Sequence, residues 1–256
     1  MTISLGNAIK AVREDEKWLK KVLIGGLIAI VAAIGSCLLN SDATSLTMKI
    51  IGLGLYLLFG GFLSGFLVSS CNRMINSDSN ALTDWSEPNL LLKGLKFLFS
   101  WLVYNLVICT IFCLIILALA LILVPINILL NSLIHSAPLT DFISMFVLIT
   151  LSIVIFLYFM QFLNVAQTSY YKNLKFRDLM SLKKHFRIIK DNQHTAWTLV
   201  GKEILYILLF LLTAAILTIT VVGILVLPFV YFAAFVVIIH LYSHYGRTID
   251  IGRYLE

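Results

Sequence analysis

Six runs of about twenty or more mainly apolar residues dominate this chain, and no other feature narrows its folding options as much. They extend from Val22 to Leu39, Met48 to Ser69, Phe97 to Val124, Phe142 to Ala166, Trp197 to Ile219 and Val222 to Tyr242. A helix rises about 1.5 Å per residue and the hydrocarbon core of a bilayer is about 30 Å thick, so each run has the length of a spanning helix. Lipid offers the backbone no hydrogen-bond partners, which leaves helices as the form such runs take. The last two runs are parted only by Thr220-Val221-Val222-Gly223. A single helix there would be about 60 Å long, twice the membrane, so a tight hairpin is expected near Gly223 with Pro228 early in the sixth helix.

Of the 256 residues, 60% are hydrophobic and 12% charged, about half the charged share of an ordinary soluble domain. No polar stretch between the apolar runs is long enough for a soluble domain. The expected organisation is one polytopic all-α membrane bundle over residues 1–256, built as three helical hairpins.

Lys and Arg stay on the cytoplasmic side of a membrane, and here they alternate almost without exception. Lys10, Arg13, Lys17, Lys20 and Lys21 precede the first span, and Arg73, Lys93 and Lys96 lie between the second and third. Lys172, Lys175, Arg177, Lys183, Lys184, Arg187 and Lys190 lie between the fourth and fifth, and Arg247 and Arg253 follow the sixth. The segments from Asn40 to Thr47, from Pro125 to Asp141 and around Gly223 hold no Lys or Arg. Six spans with both termini in the cytoplasm explain this pattern, and a multi-pass protein of the cell membrane is expected. Trp18, Trp101 and Trp197 are expected at head-group level.

Two cytoplasmic segments read as amphipathic helices on the inner leaflet. In residues 1–21, Leu5, Ala8, Ile9 and Val12 recur at helical spacing opposite Lys10, Arg13 and Glu14. In residues 172–194, Phe176, Leu179, Met180, Phe186 and Ile189 do so among seven basic residues. Each basic residue near an anionic membrane contributes about 1 kcal/mol, which makes Lys183, Lys184, Arg187 and Lys190 candidate contacts for acidic head groups. The plainer reading is a solvated basic loop.

Gly54, Gly61, Gly65 and Ser69 share one face of the second span, with Gly61 to Gly65 matching G-x-x-x-G. Small residues there admit a second helix, from this chain or from another subunit. The middles of the spans hold no ionisable residue, and Lys202 and Glu203 are expected to snorkel from the cytoplasmic end of the fifth. Asn105, Gln161, Asn164 and Gln167 are neutral amides near the inner face that could line a polar path or bond neighbouring helices. His240 and His244 are one turn apart, but the acid of H-E-x-x-H and a third ligand are missing, so no metal site is assigned. Cys109 and Cys113 are expected to pack. Ile34-Gly35-Ser36-Cys37 loosely matches a lipobox, yet the basic stretch before it is long and amphipathic, and the first run reads as a retained span. No phosphate loop, G-x-S-x-G or zinc-protease motif is present, and no catalytic residue, cofactor or nucleic-acid partner is assigned.

The segment Gly65-Phe66-Leu-Val-Ser-Ser-Cys-Asn-Arg73, the element Leu82-Thr-Asp-Trp85 and the helix start Leu90-Leu-Leu-Lys-Gly94-Leu-Lys96 resemble the signature of an uncharacterised membrane family, domain of unknown function 4013. Thr83 stands where that family usually has Pro. The resemblance implies a bacterial or archaeal multi-pass protein and no established activity. Trp85 is expected to anchor at the head groups, with Pro88 in the first turn of the next helix. The functional expectation is a non-enzymatic module that organises anionic lipids, a membrane partner or further copies of itself. The alternative is a permease for a lipid or neutral solute.

Overall fold

The computed structural model describes residues 5–77, 81–134 and 137–255, and residues 1–4 of the amphipathic opening and the side chain of Leu5 lie outside them. Every regular element among the described residues is helical. Six helices are long and apolar enough to cross a membrane. These are α2 (Trp18–Asn40), α3 (Leu46–Asn76), α4 (Leu90–Ile134), α5 (Ala137–Asn173), α8 (Gln193–Thr218) and α9 (Val221–Thr248). Shorter helices gather at the basic end: α1 (Leu5–Glu14), α6 (Phe176–Leu179), α7 (Leu182–Asp191) and α10 (Gly252–Leu255).

The three expected hairpins form as α2–α3, α4–α5 and α8–α9, with α9 also packing on α2 and α3. The turn near Gly223 is there: Thr220 caps α9 and its hydroxyl accepts the Gly223 N–H at 2.9 Å. A side chain at Gly223 would overlap the Leu217 carbonyl, so the tight turn needs glycine. The expected loop from Pro125 to Asp141 is instead largely helix. α4 runs through Pro125 to Ile134, and α5 begins at Ala137. No charged residue interrupts the run from Ile126 to Ile134, its one amide before Leu129, Asn127, donates to Asp141, and a proline is tolerated inside an apolar helix. Pro88 precedes α4 rather than opening it, and Asn89, at φ 64°, makes the bend.

Packing is concentrated at the basic end. Phe66, Cys71 and Met74 of α3, Tyr104 of α4, Ala166 of α5 and Tyr245 of α9 are fully buried there, beneath Leu179 and Ile188 of the short helices. At the other end Leu121, Ile128, Phe142, Met145 and Leu212 are exposed, as lipid-facing residues would be. Glycines set the close crossings. A Cβ on Gly94 would overlap the Gly61 carbonyl, and one on Gly65 would overlap that of Leu90, so α3 and α4 touch backbone to backbone. Gly35 and Gly52 do the same for α2 and α3, each 2.7 Å from the other's carbonyl oxygen as measured from an added Cβ. Gly54 joins neither crossing: it is exposed with nothing within 4 Å.

A polar latch holds the segment before α4 against the start of α2. Buried Lys21 lies 2.8 Å from Asp15 and 3.4 Å from Asp84, and donates to the Leu82 carbonyl at 2.8 Å. Asp15 also accepts the N–H groups of Lys17 and Leu82. Burial raises its carboxyl pKa, but the Lys21 hydrogen bond and charge and the two backbone donors outweigh that and hold it below the usual range. Trp85, expected at the head groups, packs against protein. Its indole donates to the Lys21 carbonyl at 3.1 Å and stacks on Phe66 with centroids 4.1 Å apart.

Overpacking a tight crossing costs about 1–3 kcal/mol, so Gly94→Ala is expected to lower the thermal midpoint of the detergent-solubilised protein by several degrees. Gly54→Ala should leave it unchanged or slightly higher, because alanine favours a helix by about 1 kcal/mol over glycine. Equal midpoints for the two variants would contradict the crossing described here.

Candidate functional site

After α5 the chain turns through Leu174, at φ 56°, into α6 and α7, which lie across the basic end of α4 and α5. α7 is amphipathic, and its buried face is His185, Ile188 and Ile189. Phe186, expected on that face, is instead 61% exposed, and Phe176 of α6 is also exposed. The reason is phase: His185 fits the inner face because one nitrogen meets the Asp178 carbonyl oxygen at 2.8 Å. A carbonyl only accepts, so Nε2 carries the proton and Nδ1 is left buried without a partner. The ring also meets Tyr104 edge to face at 6.2 Å. The opening helix α1 packs against α9 and buries Ala8 and Val12 in protein, while Ile9 stays exposed.

The four basic residues of α7 go separate ways. Lys183 lines an apolar groove of about 450 Å³ between α4 and α5, with Ile108, Ile111, Phe112, Ile155, Phe159 and Phe186 among its walls. Among the described residues it is the one charged residue lining the groove. Lys184 turns the other way, donates to the Leu255 carbonyl at 2.8 Å, and lines a polar cavity of about 480 Å³. Lys172, Lys175 and Arg177 line the same cavity. Arg187 stands 3.9 Å from Asp191 on the exposed surface, and Lys190 is exposed.

The four amides differ in their surroundings. Asn164 bonds across the bundle, donating to Glu203 Oε2 at 2.6 Å, and Tyr242 donates its hydroxyl to the Glu203 carboxylate at 2.7 Å. Glu203 is 7% exposed and does not snorkel; Asn164 and Tyr242 supply the hydrogen bonds that make its inward position tenable. Gln161, one turn before Asn164, is fully buried with neither amide atom bonded. Asn105 donates to Trp101 of its own helix, and Gln167 is half-buried. Of the small residues, Gly61 and Gly65 make the α3–α4 crossing, and Ser69 is buried with its hydroxyl unbonded. His240 Nδ1 donates to the Val236 carbonyl and His244 Nδ1 meets Thr248, so both rings have contacts on their own helix. Cys109 and Cys113 are exposed on α4 rather than packed, and Cys37 is exposed too.

The arrangement can hold an apolar chain on one side of α7 and a negative charge on the other. No protein-family model, curated protein or solved structure matches this chain. The basic cluster was visible in the sequence. Its division between groove and cavity was not, because that depends on how α7 is rotated against the bundle. Glu203 and Tyr242 carry no local signal either, since Asn164 lies 39 residues from Glu203 and 78 from Tyr242.

Burial pushes the His185 imidazole down to about 4 from its ordinary 6.5, against the opposing pull of Asp178. The folded protein therefore resists protonation that the unfolded chain accepts. Its contribution is complete above about pH 6.5 and is lost as pH falls toward 4, on the order of 3 kcal/mol in all. His185→Gln is expected to flatten the fall in thermal midpoint between pH 7 and pH 4.5; an unchanged pH profile would show that His185 is not the group responsible.

Proposed function

We infer that this is a non-enzymatic membrane module that holds anionic phospholipid at the cytoplasmic leaflet of the cell membrane, with both termini and α7 on that side. The observation that carries the reading is the α4–α5 groove. It offers an acyl chain isoleucine and phenylalanine walls and presents Lys183 at the end where a phosphate would sit. Arg187 and Lys190 add positive charge on the exposed face of the same helix. The orientation rests on the alternation of Lys and Arg along the chain. Kinship with domain of unknown function 4013 rests on residues 65–96 and brings no activity with it.

A permease for a lipid or neutral solute is the second reading, favoured by Gln161. Its two buried, unbonded amide atoms leave a place for water or a polar solute beside Asn164. Transport lost in Gln161→Leu, with lipid retention unchanged, would favour it.

Native mass spectrometry of the gently solubilised protein should show stoichiometric anionic phospholipid retained over phosphatidylcholine. Each basic residue neutralised in Lys183→Gln, Arg187→Gln and Lys190→Gln should lower that preference about fivefold, the equivalent of about 1 kcal/mol. Equal retention of the two lipid classes would sink the module reading. Orientation has its own check, on a background with the exposed Cys37, Cys109 and Cys113 replaced by serine. Single cysteines at Asn40 and Ser132 should react with an impermeant reagent from outside, and one at Lys183 only from inside.

A further inference from the structure

On the other side of α7 from the groove lies the polar cavity of about 480 Å³, lined in part by Gly252 and Leu255 of α10. Lys172 comes from the end of α5, Lys175 and Arg177 from the turn and α6, and Lys184 from α7, so four elements of local structure bring four cations to one space. Asp178 is the one acid among the described residues lining it, and its carboxylate already accepts the Asn173 amide at 2.8 Å. Among the described residues, none of the four cations pairs with a carboxylate. Lys184 has a carbonyl partner, Leu255, but a neutral carbonyl does not offset its charge. Like charges gathered in one recess repel, and an anion relieves that repulsion.

We propose that this cavity is a binding site for a phosphomonoester dianion. A dianion answers the excess of positive charge better than a carboxylate does. The mix of lysine ammoniums with one arginine fork is the chemistry that recognises phosphate oxygens. The volume falls within the range of small-molecule sites, about 300–1,000 Å³. Lys175 and Arg177 are exposed, so a ligand can reach them from solution or from the surface of the membrane. The phosphate can therefore belong to a soluble metabolite or to a lipid such as phosphatidic acid. The site is separate from the groove, because consecutive residues, Lys183 and Lys184, serve the two recesses.

The test uses the full chain in nanodiscs of phosphatidylcholine alone, titrated with glycerol 3-phosphate at constant ionic strength, and in parallel in nanodiscs containing a tenth phosphatidic acid. Saturable binding of glycerol 3-phosphate identifies a soluble ligand. Enrichment of phosphatidic acid without it identifies a lipid head group. In either case Lys175→Gln with Arg177→Gln should weaken binding at least tenfold while the midpoint of the unliganded protein holds. Lys183→Gln, which acts on anionic lipid in the groove, should leave glycerol 3-phosphate binding unchanged and should not remove the share of phosphatidic acid enrichment that Lys175→Gln with Arg177→Gln removes, which separates the cavity from the lipid groove. Absence of both kinds of binding, a response that follows ionic strength and not the anion, or equal loss in Lys183→Gln would overturn the proposal.

Discussion

Lipid tails are as apolar as the helices that cross them, so leucine against leucine gives a membrane bundle little reason to assemble. What remains is close backbone approach and polar bonding, and this chain gathers both at its basic end. The Gly61, Gly65 and Gly94 crossing lies there, as do the Lys21 latch and the Asn72 amide that donates to the Tyr171 and Lys172 carbonyls at the end of α5. The rest of the architecture depends on this fastening. Where it stops, α4 and α5 present exposed leucine, isoleucine and phenylalanine, and the Asn127 amide donates to the Asp141 carboxylate at 3.1 Å between their far ends.

The latch sets position more than it adds stability. A buried ion pair returns little net energy after desolvation, but removing one member leaves the other stranded at a cost of about 3–5 kcal/mol. Lys21 therefore admits one arrangement, in which Asp15 turns back on α2 and the Leu82 backbone closes the pair. That arrangement brings Trp85 onto Phe66, and it sets the direction in which α4 enters beside α3.

The features legible in the sequence are those that depend on one segment at a time. Spanning length and apolarity place all six helices, and the Thr220–Gly223 break places the last hairpin. Features that depend on two segments were legible only in part. G-x-x-x-G marks Gly61 and Gly65 as a packing face, but their partner Gly94 lies on a helix with no repeat of small residues, and Gly54 fits the pattern without meeting anything. Glu203 sits near a helix end, where snorkelling is the usual outcome, and only Asn164 and Tyr242 together make burial the better one. The candidate site follows the same rule. Counting charges finds the basic cluster, while the rotation of α7 decides that Lys183 faces isoleucine and Lys184 faces other cations.

The length of α4 has a consequence for the membrane itself. At about 1.5 Å per residue, the 40 residues from Leu90 to Leu129 measure about 60 Å against a hydrocarbon core of about 30 Å. A rod with so much excess must lean, bend at Pro125 or draw thicker lipid around it, each at a fraction of a kcal/mol per ångström of mismatch. Its base is fastened to the rest of the bundle, so the lean falls on the α4–α5 arm. Bilayer thickness thereby becomes a mechanical input to this fold, acting on the same pair of helices that form the walls of the apolar groove.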